Sequence, residues 1–236
     1  MTLTTLPATP QNPQISKPWK PTLPPARKYK KAIFEDVVKT GSFIYQIGES
    51  PILRERSTEI PLEKLHTEEY QAKIKYLKNC MLKYRKLTGV GRGITAVQIG
   101  IPERFSVIYD PFKSEKEKER LEIIINPVIT RKSTRLLKYP EQCISANPII
   151  APVIRPSWIE FDYFDEQGNS RHWDRQDETL ADLIMNRIFQ HEFDHMDGII
   201  CIDLVQPPDK LTFEPNLPTG KRTPTLYKTA KFEEIK

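Results

Sequence analysis

Cysteine is scarce in this chain: three residues in 236, at positions 80, 143 and 201. An odd number so widely spaced builds no disulfide framework and points to a reducing compartment. Long apolar runs are missing as well, none approaching the ~20 residues of a membrane span, and no secretory h-region opens the chain. Acid is absent from residues 1–34, which hold six basic residues and seven of the 21 prolines. That stretch has neither helical nor strand period. It reads as a disordered or loosely draped leader over 1–41, or as an organellar targeting segment. The rest of the chain carries 30 basic against 31 acidic residues, so the formal charge of +5 belongs to the leader. No nucleic-acid-binding body is expected from that balance.

What is present suffices for a core. Hydrophobic residues make up 38 %, and one domain over 42–206 followed by a polar tail, 207–236, is the expected division. An apolar stripe of Ile74, Leu77, Met81 and Tyr84 predicts a helix over Thr67–Leu87, stopped by Gly89, with Cys80 as a small buried hydrophobe. Four of the nine glycines fall between Gly89 and Gly100, which allows a close backbone approach to a ligand or another strand. A phosphate loop is disfavoured, since no Lys-Ser/Thr follows. Strands are expected at Arg104–Asp110, Leu121–Pro127 and Arg135–Tyr139. The charged run Lys113–Arg120 reads as a solvated loop or short helix. A hairpin of Ser157–Phe164 with Ser170–Asp174 turns at Glu166-Gln167-Gly168-Asn169. A second helix ends at Met196 before Gly198, and Ile199–Val205 reads as a last strand. Strands around two helices without a regular βαβ repeat give an α+β fold of mixed or antiparallel sheets around a central helix.

That helix carries Gln190-His191-Glu192-Phe193-Asp194-His195. Residues four apart lie ~40° apart around a helix and one turn along it. Both imidazoles can therefore reach one cation, with Glu192 at the edge of the same face to meet a water on it. Phe193 projects away, and Asp194 is placed to orient a ring nitrogen. A hydrolytic metal needs a third protein ligand and an open position. Two residues can supply it: Glu214, spaced as in one class of zinc proteases, or the thiol of Cys143.

The glycine stretch with Gln98, the run Glu141-Gln142-Cys143-Ile144-Ser145, and Gln190–His195 stand in the order of three motifs. In the peptide deformylases these read Gly-x-Gly-x-Ala-Ala-x-Gln, Glu-Gly-Cys-Leu-Ser and Gln-His-Glu-x-Asp-His, and the chain resembles that family from about Ile44 to Val205. The resemblance implies an α+β fold and removal of formyl from N-formylmethionyl peptides or nascent chains, in the family's setting near the ribosome. It implies a metal on Cys143, His191 and His195, with iron(II) native and zinc, nickel or cobalt able to substitute. Water on the metal would attack as hydroxide while Glu192 serves as general base and then acid. The Gln98 amide and the Ile144 N–H would meet the oxyanion. Gly91, Arg92 and Gly93 would hold the substrate backbone as an added strand. Glu141 and Arg155 match a charged pair that supports the cysteine segment. The mitochondrion or another organelle is the implied location, because formylated initiators belong to bacteria and organelles.

Four positions depart from the motifs: Thr95 for an alanine, Gln142 for a glycine, Arg92 for an aliphatic residue at the pocket mouth, and Arg187 for an aliphatic residue one turn before His191. Ile184, Arg187, Ile188, His191 and His195 share one helical arc. A guanidinium in a methionine pocket needs a partner, with Glu141 and Asp182 the carboxylates in reach. Two other functions therefore compete with deformylation: a non-catalytic homologue that keeps its metal and binds a peptide, and a zinc endopeptidase using Glu214.

Overall fold

The computed structural model describes residues 19–22, 43–113, 116, 120–213 and 231–235. The first helix, α1 (Glu68–Thr88), starts where the Thr67 hydroxyl accepts from the Tyr70 N–H and stops at Gly89 in the left-handed conformation. Ile74, Leu77, Cys80, Met81 and Tyr84 face inward, which is the expected stripe. Their core lies against β1 (Gly93–Thr95) and β2 (Phe105–Tyr109). An antiparallel sheet continues through β3 (Leu121–Lys132) to the hairpin β6 (Ile159–Phe164) and β7 (Ser170–Trp173), in the order β1-β2-β3-β6-β7. β1 is thus an edge strand. A second antiparallel sheet, ordered β8-β5-β4-β9, contains β4 (Leu136–Gln142), β5 (Ile149–Pro156), β8 (Thr212–Phe213) and β9 (Glu233–Ile235).

Between the sheets runs α2 (Leu180–Met196). Thr179 caps it reciprocally with Asp182, and Arg175 holds the Asp182 carboxylate. Phe189 and Phe193 make edge-on contacts with Phe161, with ring centroids 4.9 Å apart in each case. Asn186 accepts from the Ile159 N–H and donates to the carbonyls of Arg175 and Gln176, fixing the helix against the hairpin. One turn further along the same face, Gln190 donates to Pro156 O at 3.0 Å. These contacts hold the helix, and with it the face that carries the histidines, in a fixed place. The α+β arrangement around a central helix is the one expected.

Four local differences have physical reasons. β3 runs to Lys132 rather than stopping at Pro127, because a bulge between Ile125 and Val128 absorbs the proline. β5 went unread because Pro152 and Pro156 argue against a strand; beyond Ile150 its outer edge pairs with no strand among the described residues, so that edge tolerates them. Cys201–Leu204 forms a 3-10 turn instead of a strand, since the Asp203 carboxylate takes the Ile200 N–H at 2.8 Å and pairs with Arg54. From the expected tail, Thr212–Phe213 and Glu233–Ile235 join the second sheet. Of the expected leader, Trp19 packs edge-on against Tyr76 of α1. Glu214 and most of Lys113–Arg120 lie outside the described residues.

Candidate metal centre

His191 and His195 project from one face of α2 toward Cys143, which follows directly on the end of β4. One donor atom from each of the three lies within 4.8 Å of the others. Cys143 Sγ is 3.1 Å from His195 Nε2. A tetrahedral ion with sulfur at ~2.3 Å and nitrogen at ~2.0–2.1 Å would separate its ligands by ~3.5 Å, so the donor set fits one cation with a small adjustment. The chemistry fits as well: one soft thiolate and two imidazoles suit zinc or iron.

The surroundings set each donor's state. Burial pushes the Cys143 thiol well above its ordinary range, with Cys201 adding to the effect, so losing its proton calls for a cation in contact. Burial together with the positive charges of His191 and Arg155 holds His195 well below the usual histidine range, in the neutral form that ligates. Burial lowers His191 too, but the hydrogen bond and negative charge of the Glu141 carboxylate outweigh it and raise the His191 pKa. Glu141 Oε2 lies 2.9 Å from His191 Nδ1, which leaves Nε2 for a metal.

Glu141 is the hub of this region. Burial alone would raise its pKa, yet Arg155, Arg187 and His191 hold it well below the carboxylate range. Arg155 makes a two-pronged contact with it at 2.8 and 3.0 Å and reaches Asp194 at 2.5 Å. Asp194 therefore fastens Arg155 and does not orient a ring nitrogen as expected; Glu141 does that. The Glu141–Arg155 pair is buried on both sides, so it is no ordinary surface ion pair.

Arg187 resolves the question posed by its position. Its guanidinium ion-pairs with Glu141 and donates to the carbonyls of Leu137 (3.1 Å), Tyr139 (3.4 Å) and Val153. Arg187 lines the cleft, and its charge is engaged by β4 and β5. Asp182, the other carboxylate considered, is taken by Arg175.

Glu192 is buried, and burial raises its pKa although His191 and Thr95 oppose the shift. The Thr95 hydroxyl donates to its Oε2 at 2.7 Å. Thr95, which reads in the sequence as a mild replacement for alanine, is thus a contact of the Glu192 carboxylate; the hydroxyl itself was the signal. A Cβ on Gly93 would fall 2.6 Å from Glu192 Cδ, so only glycine admits the carboxylate here. Gly91 has φ of +112°, a backbone state other residues rarely take.

Gln98 sits in a tight 3-10 turn after β1, its carbonyl oxygen held by the Thr95 N–H at 2.8 Å. That aims Nε2 toward Ser145 Oγ (3.0 Å) and Cys143 Sγ (3.8 Å). A cleft of about 310 Å³ opens onto this cluster. Gly91, Arg92, Gly93, Gln142 and Ile144 border it on one side, and Ile184, Arg187 and Ile188 from α2 on another. Arg92 Cζ stands 6.0 Å from the ring centre of Phe112 at its rim. Tyr139 and Phe232, stacked on each other, also line the cleft and had no signal in the motifs. No helix among the described residues is long and apolar enough to cross a membrane.

The chain is similar to known proteins in sequence and fold. The family model for polypeptide deformylase matches residues 43–211. Chloroplastic peptide deformylase 1A of Solanum lycopersicum is 32 % identical over 210 residues, covering 84 % of this chain and 69 % of that protein. Peptide deformylase of Prochlorococcus marinus strain MIT 9312 is 33 % identical over 190 residues, or 78 % of this chain and 84 % of the relative. Among solved structures, peptide deformylase from Plasmodium falciparum superposes with a TM-score of 0.57 at 31 % identity, covering 70 % of this chain and 86 % of that one.

Proposed function

Because the chain belongs to the polypeptide deformylase family and is a hydrolase of that kind, we propose that it removes formyl from formyl-methionyl peptides. One observation carries the reading: Cys143, His191 and His195 converge within 4.8 Å beside a buried Glu192, at the floor of an open cleft. The net change is water plus formamide linkage giving formate and a free amine. A divalent cation on those three residues would act as Lewis acid and bring the pKa of water toward ~7. Iron(II) is our choice for the native ion, with zinc, nickel or cobalt as substitutes on the same soft and borderline donors.

The chain's own groups have separate tasks. Glu192 takes the proton of the attacking water and passes it to the departing nitrogen, a role suited to a carboxyl whose pKa burial has raised. Gln98 Nε2 and the Ile144 N–H donate to the oxygen on which charge develops. β1, an edge strand ending the first sheet, receives the peptide as an added strand through the backbone of Arg92 and Gly93. We assign this work to residues 42–206.

A non-catalytic peptide-binding role drew its support from the substitutions in the pocket, and for one of them, Arg187, the ion pair with Glu141 and the bond to Leu137 O account for the charge without it. A nascent chain in an organelle is the substrate source we infer. An acid-free, basic first 34 residues and a relative named chloroplastic agree with that setting.

Anaerobically purified, cobalt-loaded protein should release formate from formyl-Met-Ala-Ser and leave unformylated and internal-amide peptides intact. Cys143→Ala and Glu192→Ala should each abolish release. Full metal occupancy without turnover across a panel of formyl peptides would overturn the proposal, as would internal cleavage that survives Cys143→Ala.

A further inference from the structure

Phe232 comes from the far end of the chain, yet it lines the same cleft as Glu141 and His191. Its ring stacks on Tyr139 of β4, with centroids 4.5 Å apart and planes at 29°. The short strand β9 brings it there, pairing Glu233 with Lys138 and Ile235 with Leu136 along the open edge of β4. Two ion pairs reinforce the three-residue ladder: Glu233 with Lys138 at 3.3 Å and Glu234 with Arg135 at 3.1 Å.

We infer that Phe232 is a specificity-determining residue that closes the side-chain pocket for the formylated residue. The inference rests on the deformylase reading. Tyr139 lies two residues before Glu141 on β4, and Ile184 lies two turns before His191 on α2, so this wall is removed from the reacting atoms. The Arg187 charge is engaged by β4 and β5. The rings of Tyr139 and Phe232 with Ile184 and Ile188 are what the substrate side chain meets. Such a wall suits a long, flexible, polarisable group, and a thioether against an aromatic ring is a favourable contact of that kind. Binding energy gained equally by ground state and transition state changes KM and leaves kcat alone.

The test is formate release by the full-length, cobalt-loaded chain from formyl-Met-Ala-Ser and formyl-Glu-Ala-Ser, with calorimetric binding of the product Met-Ala-Ser beside it. Phe232→Ala should raise KM for the methionine substrate by about two- to tenfold, keep kcat within about twofold, weaken Met-Ala-Ser binding in parallel and leave bound cobalt unchanged. It should also narrow the preference for methionine over glutamate. Phe232→Leu should restore part of the affinity. The double variant Glu233→Lys, Glu234→Lys keeps the ring but opposes β9 docking, and should reproduce the KM of Phe232→Ala. An unchanged KM in Phe232→Ala overturns the inference, as does a loss shared equally by kcat and bound cobalt. If the parent chain binds Met-Ala-Ser but releases no formate, the deformylase reading fails, and the product titration still decides the role of Phe232.

Discussion

A Cβ at position 93 would lie 2.6 Å from Glu192 Cδ, so Gly93→Ala must displace the carboxylate that we propose handles the proton. Displacement of about 1 Å costs on the order of a hundredfold in rate, while overpacking costs about 1–3 kcal/mol of stability. The variant should therefore stay folded by circular dichroism with kcat down about a hundredfold. A fully active Gly93→Ala would show that Glu192 does not need this place. Glu141 permits a prediction in pH. Burial pushes its carboxyl up, but Arg155, Arg187 and His191 hold the folded-state pKa well below the ordinary value. A depressed carboxyl contributes stability that is present above the unfolded value of about 4.3 and is lost as pH falls through the lower folded one. Urea midpoints of the parent should fall through that acid range, and those of Glu141→Gln should start lower at pH 7 and fall less. Parallel acid limbs would contradict this. At this scale the pairing of His191 with His195 was legible, because helical periodicity alone brings the two rings to one face; Cys143 came only from the family resemblance. The partnership of Glu141 with His191 was not legible, since 50 residues of sheet and turn intervene before the two meet.

Among the elements, α2 is fixed by contacts of two kinds: aromatic on the hairpin side, polar on the β4–β5 side. Arg187 supplies much of the second. Its replacement by isoleucine restores the family's residue type at that position, yet it leaves Glu141 with one cation fewer and the carbonyls of Leu137 and Val153 without their donor. Removing one partner of a buried pair costs about 3–5 kcal/mol. Arg187→Ile should lose about that much in urea unfolding and gain no turnover on formyl-methionyl substrate. A gain in turnover with unchanged stability would return Arg187 to the pocket. Sequence patterns captured α1, the β6–β7 hairpin and α2, whose periods and caps are local. They missed β5, where prolines hide a strand that an outer edge tolerates, and the Cys201–Leu204 turn, where one aspartate overrides a run of residues that favour strands. β9 was beyond reach, because a three-residue strand has no period and depends wholly on the β4 edge.

Over the whole molecule, the candidate site joins the second sheet to the central helix: Cys143 follows β4, and both histidines stand on α2. A cation there would cross-link two parts of the core that otherwise meet through Glu141, Arg155 and Arg187. Metal at a hundredfold excess over its dissociation constant should add about 2.7 kcal/mol to stability. Chelation should lower the urea midpoint accordingly, and an unchanged midpoint would mean that the cation bridges nothing. The α+β class and the three-motif order were readable from one chain because each motif is short and self-contained. The closing of the cleft by residues from the far terminus was not.

X-ray absorption at the zinc edge of the zinc-loaded protein tests the central claim most directly. The account predicts one sulfur at about 2.3 Å and two imidazole nitrogens at about 2.0–2.1 Å, with a further light-atom ligand completing four-coordination. Cys143→Ala should erase the sulfur shell. Fully occupied parent protein with no sulfur around the metal would contradict the account.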